Sequence, residues 1–222
     1  MKVLAYFQSY TGTYNKEISE LEYLYKSALS VEGVVGLVIA TRPDCITDDV
    51  ISLLERLNRE HIVFVEFGAE TSHDDTLRLI NRNHTWEDLE VAVRKVASKG
   101  IHCGIHLIMG LPGENREMML ETVRKASALP IETLKLHQLQ VLKNTILHDK
   151  LLKGEITVPD FSLEEYLDLC VEIIKLTPEN IIIERFLSQS PPDLVVSPSW
   201  GLKNYQFMNK LSGLLDRAQQ KK

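Results

Sequence analysis

Residues 62–109 read IVFVEFGAETSHDDTLRLINRNHTWEDLEVAVRKVASKGIHCGIHLIM, and this stretch decides the fold. It opens and closes on short apolar runs, residues 62–67 and 102–109, of the length and composition of buried strands. Between them, residues 85–98 set Leu89, Ala92, Val93 and Val96 at helical spacing. Thr85 stands before this segment with Asp88 three residues on, the pattern of a helix start. Gly100 follows it as a helix-ending glycine. Strand, helix and strand make a βαβ unit, which requires parallel strands and a right-handed crossover.

The same alternation continues on both sides. Further apolar runs lie at residues 3–8, 34–40, 133–139 and 181–186, each near-continuous, as in strands covered on both faces. Helical stretches lie at 16–29, 47–59, 115–128 and 162–176, with a last helix from 203 to about 217. Thr47 and Ser162 are capping residues, and Ser162 has Glu165 in capping-box spacing. The proline-rich residues 188–200 read as a loop. The series predicts an α/β fold with one domain over 1–222, of which 201–222 form a C-terminal helix and tail. A partial (β/α) TIM-type barrel and a doubly wound sheet both satisfy it, and both place the site at the C-terminal ends of the strands.

Residues with chemistry cluster where those ends fall. Ser9, Tyr10, Thr11, Gly12 and Thr13 make a hydroxyl-rich turn suited to an anionic or zwitterionic ligand. Arg42, held extended by Pro43, and Glu66, a carboxylate inside an apolar strand, are the candidate substrate contacts. Glu70 and Thr71 follow Glu66 at the strand mouth, and Arg82 and His84 return to that mouth after a short helix. His106 lies within the next strand, and His137, Gln138 and Gln140 alternate with apolar residues in the fifth. Glu184 and Arg185 interrupt the sixth.

The exclusions are as informative. The 222 residues carry net charge −6, against a broad phosphate-binding surface. The chain has no apolar run long enough to span a membrane and no signal-peptide core, so a cytoplasmic location is expected. Its three cysteines, at 45, 103 and 170, form no CxxC or CxxxC pair, and each reads as a small buried hydrophobe. No HExxH motif, nucleophile elbow or P-loop occurs, and no metal ligands are assigned.

Taken in order, AYFQSYTGTY (5–14), IATRPDC (39–45), VEFGAETSHDDTLRLINRNHT (65–85), HLIMGLPGE (106–114) and LKLHQLQVLKNT (134–145) resemble the radical SAM superfamily. The resemblance is to the branch of the elongator catalytic subunit and oxygen-independent coproporphyrinogen oxidase. It is closer still to a bacterial group of iron–sulfur oxidoreductases, which IIIERF (181–186) and SPSWGLKN (197–204) also resemble. It implies a core that cleaves S-adenosylmethionine (SAM) to a 5′-deoxyadenosyl radical at a [4Fe–4S] cluster held by a CxxxCxxC loop. By motif, Ser9, Tyr10 and Thr11 fall where a Gly-Gly-Thr-like turn meets the SAM amine, with both glycines replaced. Glu70 falls where a Gln contacts SAM, and Arg82 where a base pairs with its carboxylate. His106 replaces a ribose-contacting acid, Gln138 lies beside the adenine strand, and Ala40 replaces a ribose-binding Glu.

This chain carries no CxxxCxxC loop. In the family that loop follows the first barrel strand, so the chain is expected to begin at the second and to be inactive alone. An open first-strand edge predicts a homodimer. The elongator-like branch implies tRNA as a substrate class. Two other readings stay open: a cluster-free barrel acting as a binding or interaction protein, and an unrelated barrel enzyme such as an aldolase. The last needs a desolvated lysine at a strand end, and Lys135 is the one lysine well inside a strand.

Overall fold

A computed structural model describes residues 1–8, 11–14 and 17–219. In chain order the elements are β1 (Val3–Phe7), α1 (Ile18–Leu29), β2 (Val34–Thr41), α2 (Asp48–Asn58), β3 (Ile62–Glu70), α3 (Asp74–Leu79), α4 (Trp86–Ala97) and β4 (His102–Met109). They continue as α5 (Arg116–Ser127), β5 (Thr133–Gln138), β6 (Val141–Leu142), α6 (Ile146–Leu152), α7 (Leu163–Leu176), β7 (Ile182–Arg185), β8 (Val195–Ser197) and α8 (Asn204–Gln219). Six strands pair in the order β1-β2-β3-β4-β5-β7, all parallel, and the sheet curls into a half-barrel. Short β6 and β8 form a separate antiparallel pair.

Each strand presents two different faces. Leu37 and Ile39, Val63, Val65 and Phe67, Cys103, Ile105 and Leu107, and Leu134 and Leu136 are fully buried under the helices. Leu53 and Leu54 of α2, Leu89, Val93 and Val96 of α4 and Val123 of α5 belong to the same apolar cluster. Each such side chain contributes about 1.5–3 kcal/mol by leaving water. The opposite face curls around a polar cavity, so these strands are not covered on both faces by apolar layers. The sequence reading missed this because residues such as Val38, Ala40 and Phe64 keep the concave face apolar in composition.

Helix starts follow the expected chemistry. Thr47 accepts from Val50 N, and Thr85–Asp88 and Ser162–Glu165 both form complete capping boxes. Gly100 ends α4 at φ +69°, a left-handed conformation that favours glycine.

Three expectations change. The third strand runs past residue 67 to Glu70, through an irregularity in its pairing with β4 between Gly68 and Glu70. The loop at 188–200 contains β8, and α6 lies where no helix was expected. The short elements had no usable signal: β6 and β8 are too short for a period, and α6 buries no residue, so it has no apolar stripe.

Candidate functional site

Within the curl of the six-stranded sheet lies a cavity of about 460 Å³, lined from β1 through to β7. Its floor is a buried charge cluster built from alternating positions of several strands. Glu66 on β3, 3% exposed, accepts from Tyr6 Oη at 2.6 Å and pairs with Lys135 Nζ. A carboxylate only accepts, so His106 Nε2, 2.9 Å from Glu66 Oε2, is the donor there. Lys135 also reaches Glu184 Oε2 at 3.2 Å and sits 5.1 Å from the Tyr6 ring centroid. Burial alone would raise the Glu66 carboxyl. The bonds from His106, Lys135 and Tyr6 overcome that and hold it at about 2. Burial and the Glu66 charge push the Tyr6 phenol above its ordinary range.

His137 stands two residues beyond Lys135 and leans on His106 with ring centroids 5.4 Å apart. Burial, then the nearby His106, Arg185 and Lys135, push it down to about 4. It is a neutral imidazole in neutral solution, 3.2 Å from Ser188 Oγ.

The rim opposes a carboxylate to a guanidinium. Glu70 adopts φ +66°, unusual for a residue with a side chain. The irregular end of β3 thus turns Glu70 towards the cavity, as strand bulges re-aim side chains. Arg82 Nη2 lies 2.9 Å from Glu70 Oε1 and donates to Gly68 O at 2.6 Å, while Arg82 Nε faces His84 Nε2 at 3.3 Å. Nη1 makes no hydrogen bond among the described residues. A Cβ on Gly68 would lie 2.9 Å from both Arg82 Nη2 and Glu70 Oε1, so the pair occupies space that only glycine leaves. Burial raises the Glu70 carboxyl, an effect that Arg82 and then His106 oppose.

The structure therefore brings Thr11, Arg42, Glu66, Glu70, Arg82 and His106 to one cavity. Arg42 is engaged with Asp44, Nε to Oδ1 at 2.9 Å. Ser9 and Tyr10 lie outside the described residues. Thr13, from the same turn, is not free for a ligand: it bonds Thr41 Oγ1 at 2.6 Å and Cys45 O at 2.8 Å. Tyr25 Oη donates to Gly12 O at 2.8 Å, and Gly12 N to Ala40 O at 2.8 Å, so the turn is pinned to β2 and α1. Gln138 sits apart from this cavity, its amide bonding both the N–H and the carbonyl of Ser188. Tyr6, Lys135, His137 and Arg185 complete the cluster or its lining and were not assigned from sequence as site residues. The usable signal was the two-residue spacing of Lys135 and His137 in one strand, which puts both on the face of Glu66 and His106.

The family model described as Radical SAM superfamily matches residues 3–126. This chain belongs to the radical SAM superfamily. The model of the Radical_SAM C-terminal domain matches residues 131–217. The Bacillus subtilis protein YtqA is 34% identical over 97% of this chain, and the chain spans 66% of YtqA's length. A tRNA uridine(34) acetyltransferase of Methanocaldococcus jannaschii is 25% identical over 79% of this chain and 33% of its own. An N-terminally deleted Elp3 from Methanocaldococcus infernus superposes with a TM-score of 0.73 at 20% identity, over 92% of this chain and 46% of that one. That likeness carries the fold: a partial TIM-type barrel.

SAM and a [4Fe–4S] cluster are the family's cofactors. The rim suits the first, because a guanidinium beside a carboxylate complements an amino-acid zwitterion. The cysteines of this chain do not suit the second. Cys45 follows β2, Cys103 lies in β4 and Cys170 in α7, and all three are buried. Burial pushes the Cys103 and Cys170 thiols up to about 12 and raises Cys45, the opposite of the electropositive surroundings that favour a thiolate. No group of three or more metal-ligating side chains occurs among the described residues. Among the same residues, no helix is long and apolar enough to cross a membrane.

Proposed function

We propose that this chain is the SAM-holding core of a radical SAM enzyme, able to bind SAM but not to cleave it alone. The observation that carries the reading is the Glu70–Arg82 pair on the re-aimed end of β3, at the rim of a 460 Å³ cavity. When bound, SAM supplies a sulfonium whose cleavage yields a hydrogen-abstracting radical. The chain's residues hold and orient it. Arg82 Nη1 receives the ligand carboxylate, Glu70 and Thr11 face its ammonium, and His106 meets its ribose. Glu66 and Arg42 lie deeper and towards β2, where they contact substrate.

Lys135 is engaged by Glu66 and Glu184, which speaks against a free amine nucleophile of the aldolase kind. Likeness to a tRNA-modifying relative supports tRNA as the substrate class. β1 stands at the end of the strand order, and its outer edge supports pairing with a second copy of the chain.

Calorimetric titration of SAM into the chain tests this reading. One saturable site is expected, weakened at least about tenfold by Arg82→Ala with an unchanged circular dichroism spectrum. With dithionite present, no 5′-deoxyadenosine should form. Absence of binding overturns the cradle, and formation of 5′-deoxyadenosine overturns the claim that the chain alone is inactive.

A further inference from the structure

The cations around the charged cavity are matched, with one exception. Arg42 is taken by Asp44, Arg82 by Glu70, and Lys135 by both Glu66 and Glu184. Arg185 lines the same cavity and is exposed, and its side chain makes no hydrogen bond or ion pair among the described residues. The backbone accounts for the difference. Pairing of β7 with β5 steps from Ile183 against Leu134 to Arg185 against Lys135, so Glu184 and Arg185 together oppose one residue. Such an irregularity re-aims side chains. Glu184 Oε2 lies 3.2 Å from Lys135 Nζ, and Arg185 is left over. Burial dominates the shifts of Tyr6 and His137, and the Arg185 charge acts on both. His137 is neutral in neutral solution, so it adds no second positive charge to this wall. Beyond β5 lies a second cleft, of about 510 Å³, with no residue in common with the cavity. Amides and hydroxyls line it, and Lys203 is its single charged residue, so its lining brings no carboxylate to Arg185.

We propose that Arg185 anchors the substrate of the charged cavity by a monoanionic group, a carboxylate or a phosphodiester. A planar guanidinium presents parallel N–H donors that fit the two oxygens of either group. One unmatched positive charge calls for one negative charge. The anchor stands on β7, whereas the Glu70–Arg82 rim comes from β3 and the loop before α4, so the two serve different ends of the cavity. The inference rests on the proposed function in calling the ligand a substrate, and the anchor itself is tested without SAM.

Titration of the whole chain with dimethyl phosphate and with acetate, followed by the NMR signals of the Arg185 guanidinium and the His137 ring, tests it. At least one anion should shift both signals saturably, and neutral trimethyl phosphate should shift neither. Arg185→Gln should weaken the response at His137 at least about tenfold with Tm unchanged, because the replaced side chain bonds nothing in the chain. Arg82→Ala should leave the response intact, so failure of the SAM cradle is read separately from failure of the anchor. No saturable shift with either anion, an equal response to trimethyl phosphate, or an unchanged response at His137 in Arg185→Gln overturns the proposal. A response lost in Arg82→Ala and kept in Arg185→Gln puts the anion on the rim and also overturns it. Tighter binding of dimethyl phosphate marks a nucleic-acid backbone as the source of the anion, and tighter binding of acetate marks a free acid. Both support the anchor.

Discussion

The charged cavity inside the six-stranded sheet and the cleft beyond β5 are close in size and opposite in chemistry. The first is built of charges, Glu66, Lys135, Glu70 and Arg82, matched among themselves. The second is built of amides and hydroxyls around an aromatic wall, with one acceptor unmatched. Buried charges must be paired before any ligand arrives, because an isolated one costs several kcal/mol. A ligand meeting these charges therefore exchanges into existing pairs. The cavity is the more costly region to disturb, and the cleft the easier to alter without unfolding the chain.

The sharpest break of that contrast is Glu66→Ala. It leaves Lys135 paired with the half-exposed Glu184 and removes the acceptor of two further bonds, so a loss of about 3 kcal/mol is expected in urea unfolding. Next comes acid. Glu66 titrates near 2 in the folded chain and near 4.5 when free. Its lowered value gives stability that is present above pH 4.5 and is lost as pH falls towards 2. The amount is of order 3 kcal/mol. His137 acts in the same direction between 6.5 and about 4, because its neutral form is the one the fold favours. Stability measured from pH 7 to pH 2 should fall in both windows, and Glu66→Gln should flatten the lower one.

In the cleft the effects shrink. Gln138→Ala removes the grip on Ser188 and should cost about 1–3 kcal/mol, with proteolysis appearing first in residues 188–200. Ser162→Ala loosens the start of α7, which carries Tyr166 against Trp200, and should cost about 1 kcal/mol by thermal denaturation. A cleft variant that costs more than Glu66→Ala would reverse the contrast.

The two regions also differ in how far they could be read. The βαβ alternation, the caps at Thr47, Thr85 and Ser162 and the glycine after α4 are local, so periodicity and capping chemistry expose them. Glu66 stood out because a carboxylate within VFVEF needs a partner, yet its partners come from β1, β4 and β5, at sequence distances no local pattern encodes. Glu70 depended on a backbone irregularity that composition does not announce. Gln138 was expected beside the adenine because the resemblance put it next to that strand, and a motif position does not reveal that the amide bonds Ser188. The cleft was hidden for a further reason: its walls come largely from the loops on either side of the short β8, which have no period.

The central claim is that the rim of the charged cavity recognises a zwitterion. Parallel titrations with SAM and with 5′-methylthioadenosine, which keeps the nucleoside and lacks the amino-acid end, test it most directly. At least about tenfold tighter binding of SAM is expected, collapsing to equality in Arg82→Ala. Equal affinities in the unaltered chain would contradict the account.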